Sequence, residues 1–96
     1  MRARKIDVNQ PAIVKQLRQL PGISVAVTSM VGAGFPDLIC GHKGQSFLIE
    51  LKDGAKSKSR KKLTPDEQEF KDKWFGHYSV CESLDEILTA IKYRMA

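Results

Sequence analysis

The sequence predicts one α/β domain, a mixed sheet with flanking helices. Three features point there. An amphipathic helical repeat lies near the start, short β-branched runs fill the middle, and two strong helix-start signals in the last third are separated by one more strand. The 96 residues make a single domain over 1–96, with no internal repeat and no room for a second unit. A chain of this size buries roughly 65% of the surface its unfolded form exposes, so it can fold alone on a thin margin that a second copy would widen.

From Asn9 to Leu20 the apolar residues Ile13, Val14, Leu17 and Leu20 fall on one helical face. Asn9 can cap this helix, Pro11 suits its first turn and Pro21-Gly22 ends it. Ile23 to Thr28 reads as a strand, and Gly32, Gly34 and Pro36 as a loop. Asp37 to Cys40 is a short second strand stopped by Gly41 and the turn His42-Lys43-Gly44, and Phe47 to Lys52 is a third. Thr64-Pro65-Asp66-Glu67 then offers an N-cap, a proline at the first helical position and a glutamate three after the cap, opening a helix that runs to Phe75 before Gly76. Tyr78 to Cys81 is the fourth strand. Ser83 caps a last helix with Asp85 and Glu86 in its first turn and Ile87, Leu88 and Ile91 as its buried face. The order is α-β-β-β-α-β-α.

The composition is that of an ordinary globular chain, 42% hydrophobic and 28% charged. No apolar run is long enough to span a bilayer, and the basic N-terminus lacks the apolar stretch of a signal peptide, so no membrane partner is expected. Two cysteines outside any CxxC pair suit a reducing, cytoplasmic setting. The net charge of +5 is concentrated in one place. Lys52, Lys56, Lys58, Arg60, Lys61 and Lys62 face one acid, Asp53, while the remaining residues hold ten charges of each sign. With Gly54, Ala55, Ser57 and Ser59 between the cations, residues 53–62 read as a flexible basic loop that favours a polyanionic partner. Arg2, Arg4 and Lys5 form a smaller basic arm. Both are candidate DNA-binding elements, and both also fit a solvated surface.

The strand Phe47 to Lys52 carries the chemistry. Side chains alternate, so Leu48, Glu50 and Lys52 share one face of an otherwise apolar strand, and charges are not placed there without a partner or a purpose. If the two middle strands pair through the turn at His42 to Gly44, Asp37 approaches Glu50. Two carboxylates held close repel unless a cation lies between them, and hard oxygen ligands suit Mg²⁺, which takes one or two carboxylates plus water and phosphate. Asp37 and Glu50 are therefore candidate metal ligands, with the Leu51 carbonyl as a third. Lys52 is a candidate to stabilise charge on a phosphate or to help deprotonate a water. A structural ion network of Asp37, Glu50 and Lys52 accounts for the same spacing.

Pro36-Asp37, twelve residues, then Glu50-Leu51-Lys52 resembles the PD-(D/E)XK motif of metal-dependent nucleases. It sits in a longer frame of Gly34-Phe35-Pro36-Asp37-Leu38, Glu50-Leu51-Lys52, Leu63-Thr64-Pro65-Asp66-Glu67-Gln68-Glu69-Phe70, Trp74 and Gly76. This frame is similar to the virus-type replication-repair nuclease (VRR-NUC) family in its short stand-alone phage form, from Asn9 to about Ile91. The resemblance implies the α-β-β-β-α-β core of restriction endonucleases and Mg²⁺- or Mn²⁺-dependent DNA cleavage, with branched DNA such as Holliday junctions as substrate. It also implies a homodimer and, for a phage-encoded chain, the cytoplasm of a bacterial host. Residue by residue, it makes Asp37 and Glu50 the metal carboxylates, Lys52 the catalytic lysine, and Gln68 a glutamine facing the active site; Gln68 also fits a solvent-facing helix residue. Many relatives add a glutamate on the first helix to the metal shell. Here that region reads Asp7-Val8-Asn9-Gln10, and Gln10 aligns best, with Asn9 next, so the position carries no charge.

The remaining residues have simpler expected roles. His42 and His77 read as surface residues and Cys40 and Cys81 as buried small hydrophobes. Phe70 and Trp74, four apart on one helix, read as core packing rather than base-stacking residues. A catalytically silent nucleic-acid-binding module and a phage protein whose basic loop binds an acidic partner are the alternatives to a nuclease. Metal-dependent cutting separates the nuclease from both.

Overall fold

The computed structural model describes residues 9–53 and 62–94. Among these the chain forms α1 (Gln10–Gln19), β1 (Ile23–Val27), β2 (Leu38–His42), β3 (Gln45–Leu51), α2 (Pro65–Lys73), β4 (His77–Cys81) and α3 (Leu84–Ala90). The sheet order is β1-β2-β3-β4, antiparallel through β3 and parallel between β3 and β4. The described residues thus form a small mixed α/β domain with the expected succession of elements. None of its described helices is long and apolar enough to cross a membrane.

The sheet has two unlike faces because register fixes alternation. Leu38 pairs with Ile49 and Cys40 with Phe47, so these four and Leu51 share one face. They form the core with Cys81 of β4, with Ile13, Val14 and Leu17 of α1, and with Ile87 and Ile91 at α3. Each fully buried leucine or isoleucine there stabilises the fold by about 1.5–3 kcal/mol. The second face carries Ile39, Leu48, Glu50, Tyr78 and Val80, as the pairs Ile39↔Leu48, Leu48↔Tyr78 and Glu50↔Val80 require. Helix α2 meets this second face, where Phe70 reaches Tyr78 at 6.1 Å between ring centroids.

Several local readings change. β2 continues through Gly41 and His42, because the hairpin closes on two residues alone, Lys43 (φ 51) and Gly44 (φ 78). Positive φ at both is the geometry whose twist matches that of paired strands. Extending β2 turns His42 onto the core face, so it is buried rather than a surface residue. Its Nδ1 lies 2.9 Å from the Gly22 carbonyl oxygen and its ring 5.2 Å from that of Tyr93. Asn9 occupies the cap of α1 without a side-chain cap bond. α2 ends at Lys73, and Trp74 is already extended, so the helix is shorter than the reading to Phe75. The capping box at its start is present as read: Glu67 N–H donates to Thr64 Oγ1 at 3.3 Å and Thr64 N–H to Glu67 Oε1 at 2.9 Å.

The loop between β1 and β2 is seated against this capped helix start. Gly32, Ala33 and Gly34 all have positive φ, of 87, 54 and 80. At Gly34 a Cβ would overlap the carbonyl of Asp66 and lie 2.9 Å from Glu67 N. At Gly32 nothing lies within 4 Å of such a Cβ. Phe35 follows with an edge-on contact to Phe70, 5.2 Å between centroids. Both glycines face the same left-handed cost, but only Gly34 adds a backbone collision. Gly34→Ala should therefore lower the melting temperature by about 10 °C and Gly32→Ala by clearly less. Equal losses in thermal melts would show that the Gly34–α2 contact does not hold the loop.

Candidate functional site

The charged residues of the second face gather at the end of β3. One position beyond Leu38↔Ile49, the register sets Asp37 opposite Glu50. Asp37 is held from both sides. Its carbonyl accepts from Thr28 N–H at 2.7 Å, and its Oδ2 accepts from Leu51 N–H at 2.8 Å. Pro36 is fixed in turn, its carbonyl accepting from the Thr28 hydroxyl at 2.7 Å. Glu50 is 2% exposed and Asp37 6%. Like charges directly across a strand pair repel. Burial first, then the charges of Asp37 and Glu67, push the Glu50 carboxyl up to about 9. Glu50 Oε1 is buried without a hydrogen-bond partner.

Lys52 follows on the same face. Its amide donates to the Cys81 carbonyl at 2.9 Å, which keeps it on the ladder with β4. Its Nζ lies 3.6 Å from Glu50 Oε2 and donates to Glu67 Oε1 at 2.9 Å. The sequence reading of the site passed over Glu67. One oxygen of its carboxylate serves two ends: it accepts from Thr64 N–H to cap α2 and from Lys52 to hold the amine. Burial works against this ionised carboxylate, but the Thr64 amide, Lys52 and Glu50 outweigh it and hold Glu67 below the usual range. The signal was present in the capping box, whose glutamate must turn back toward the chain entering the helix. Glu67 therefore points at the strand end from which that chain departs.

The structure brings Asp37, Glu50 and Lys52 together and leaves Gln68 outside. Gln68 is exposed and donates to Asp72 Oδ1 at 2.8 Å, one helical turn along α2. It sits one residue past Glu67, a rotation of about 100° that carries it away from the strand end. Leu51 has its peptide at the site through the bond to Asp37. Gln10 is buried, and its Nε2 donates to Ser29 Oγ at 3.3 Å, next to the Thr28–Asp37 pair, while its Oε1 has no partner. Gln10 also lines a groove of about 580 Å³ on the α1 side, with Val14, Arg18 and Val27. Lys62 is exposed. The candidate DNA-binding residues Lys56, Lys58, Arg60, Lys61, Arg2, Arg4 and Lys5 lie outside the described residues.

Tyr78 was also missed, because the parallel register of β4 is not legible from composition. Its hydroxyl is buried without a partner. Burial, then the charges of Glu50, Glu67 and Asp37, raise its pKa. Cys40 and Cys81 are buried as read, and burial pushes their thiols up to about 11 and about 12, well away from a reactive thiolate.

The donor set fits a hard divalent cation. Glu50 and Asp37 bring adjacent carboxyl groups, one with a buried oxygen lacking a partner, and Lys52 is the cation beside Glu50 and Glu67. Among the described residues no three His, Cys, Asp or Glu side chains are grouped to hold a metal ion. Two carboxylates are what Mg²⁺ commonly takes from a protein. Comparison with protein-family models, curated proteins and solved structures finds no match to this chain.

Glu50 sets a pH dependence. Its folded pKa lies above the ordinary 4.5, so folding takes up a proton between about 4.5 and about 9. The stability tied to this group is full at low pH and falls as pH rises through that window. Glu67, held low, acts oppositely: its contribution is full above its ordinary pKa and is lost as pH falls through the depressed one. In metal-free buffer, Glu50→Gln should therefore gain melting temperature over wild type by several degrees as pH rises from about 5 to about 9. A difference that stays constant across paired melts would contradict the buried, raised carboxyl.

Proposed function

We propose that this chain is a metal-dependent DNA endonuclease of VRR-NUC type, with a restriction-endonuclease-like core, acting as a homodimer on branched DNA. The observation that supports it best is the meeting of Asp37, Glu50 and Lys52 at one strand end, with two buried carboxyls side by side. A structural ion network gains little from a carboxyl that burial and its neighbours push toward the protonated form, whereas a bound cation would ionise it and offset the repulsion of the two charges.

Asp37 and Glu50 would hold Mg²⁺ or Mn²⁺, with the Leu51 carbonyl as a third protein ligand. The bound cation supplies charge for a phosphate oxygen and acidifies a water. Glu50 must lose its proton for this to happen, and the Leu51 amide keeps Asp37 oriented while it does. Lys52 would meet negative charge that develops on the scissile phosphate. Glu67 is a positioning residue that fixes the Lys52 amine from the rigid start of α2. The basic segment 53–62 follows Lys52 directly in sequence and would grip phosphates. One active site per subunit cuts one strand at a time, so a pair of subunits suits a branched or duplex substrate.

The test is a cleavage panel of four-way junction, flap, nicked and linear DNA with Mg²⁺, Mn²⁺ or EDTA. Wild type should cut with either metal and stop in EDTA. Lys52→Ala should cut at least about 100-fold more slowly with its circular dichroism unchanged. Cutting by Lys52→Ala at the wild-type rate would remove the assigned mechanism.

A further inference from the structure

The turn from α2 into β4 exposes two large aromatic side chains in succession. Trp74 is 43% exposed and Phe75 is wholly exposed. Trp74 is not loose. Its indole stacks on Phe70 with 17° between planes and 5.3 Å between centroids, and Gly76 admits its edge, since a Cβ there would lie 2.8 Å from Trp74 Nε1. Phe70 in turn contacts Phe35 and Tyr78. An exposed ring held this firmly has already lost the freedom that binding would otherwise cost it.

Position gives the patch a partner. Tyr78 pairs with Leu48, two residues before Glu50 on the same sheet face, so the candidate site lies at one end of the ring series Tyr78, Phe70, Trp74. The two steps, of 6.1 and 5.3 Å, cover on the order of three stacked nucleotides. Val80, exposed on the same sheet face, is the register partner of Glu50. Lys71 and Lys73 stand in the last turn of α2, directly before Trp74, with Lys73 already paired to Glu69 at 2.7 Å. A fixed aromatic platform with Lys71 beside it, leading away from a phosphate-handling site, has the chemistry of a single-strand surface, where bases stack and a cation meets the backbone.

Resting on the nuclease reading, we infer that Trp74 and Phe75 form a stacking step for an unpaired base about three nucleotides from the cleaved phosphate, so that the substrate is DNA with a single-stranded or forked segment. Trp74 provides the platform. Phe75 stands free of the fold as a wedge that a base pair must open to pass. Blunt duplex, with its bases already stacked inside, gains nothing from either ring.

Trp74 is the only tryptophan of the chain, so its own fluorescence reports the contact. Forked DNA, single-stranded oligothymidine and blunt duplex are titrated into the full chain in EDTA, without cleavage, and binding is followed in parallel by anisotropy of labelled DNA. Forked and single-stranded DNA should quench Trp74 and duplex should not. Phe75→Ala should weaken forked DNA roughly tenfold and leave duplex affinity unchanged. Because Phe75 touches no core, circular dichroism of the variant should match wild type. DNA binding with no quench and no effect of Phe75→Ala would overturn the inference and leave the nuclease reading standing. No binding of any DNA would remove both. If Phe75→Ala turns a dimer into a monomer in sedimentation while forked-DNA affinity holds, the patch is a contact between copies of the chain, and the inference also fails.

Discussion

Pairing β2 with β3 in the observed register forces Asp37 against Glu50 inside a region closed to water. The apolar face of the sheet requires that register, since a slip of one residue would turn Leu38, Cys40, Phe47 and Ile49 out of the core. The core therefore dictates the carboxyl pair. The chain cannot relieve the repulsion without giving up the packing that folds it. It bears the strain by keeping a proton on Glu50, by binding Asp37 to the Leu51 amide and by placing Lys52 close by. A site so costly in a small domain is the kind of local conflict that function retains.

The supports around the pair are economical. Glu67 joins the cap of α2 to the amine of Lys52, so the helix start and the charged strand end fix each other. Gly34 lets the β1–β2 loop lie on the backbone of that same helix turn, beside the chain that leads into Asp37. Asp37 and Glu67 are thus held by neighbouring contacts, although thirty residues separate them in sequence. Just past the end of the same helix stands Trp74, which connects the site to the exposed aromatic turn through Phe70.

The strand face bearing Glu50 and Lys52 was legible because period-two alternation fixes it whatever the partner strands are. The capping box was legible because it is local. Of the two readings of Gln68, the solvent-facing one describes its place, because one residue past Glu67 on a helix is a large rotation. His42 misled because Gly41 looked like a strand end, and only the two-residue turn reveals that β2 continues onto the core face. Tyr78 and the Gly34 contact depend on which distant elements meet, which local pattern does not encode. Phe70 and Trp74 read as core packing from their spacing; they stack on each other, but Trp74 is exposed rather than core, because α2 stops at Lys73.

The most direct measurement is Mn²⁺ binding by titration calorimetry near neutral pH, repeated in buffers of different ionisation enthalpy. Wild type should bind Mn²⁺ and release close to one proton, the one that Glu50 carries in the metal-free chain. Glu50→Gln should lose most of the affinity and the proton release together. Mn²⁺ binding unchanged by Glu50→Gln, or no binding to wild type at millimolar metal, would contradict a metal site at the Asp37–Glu50 pair.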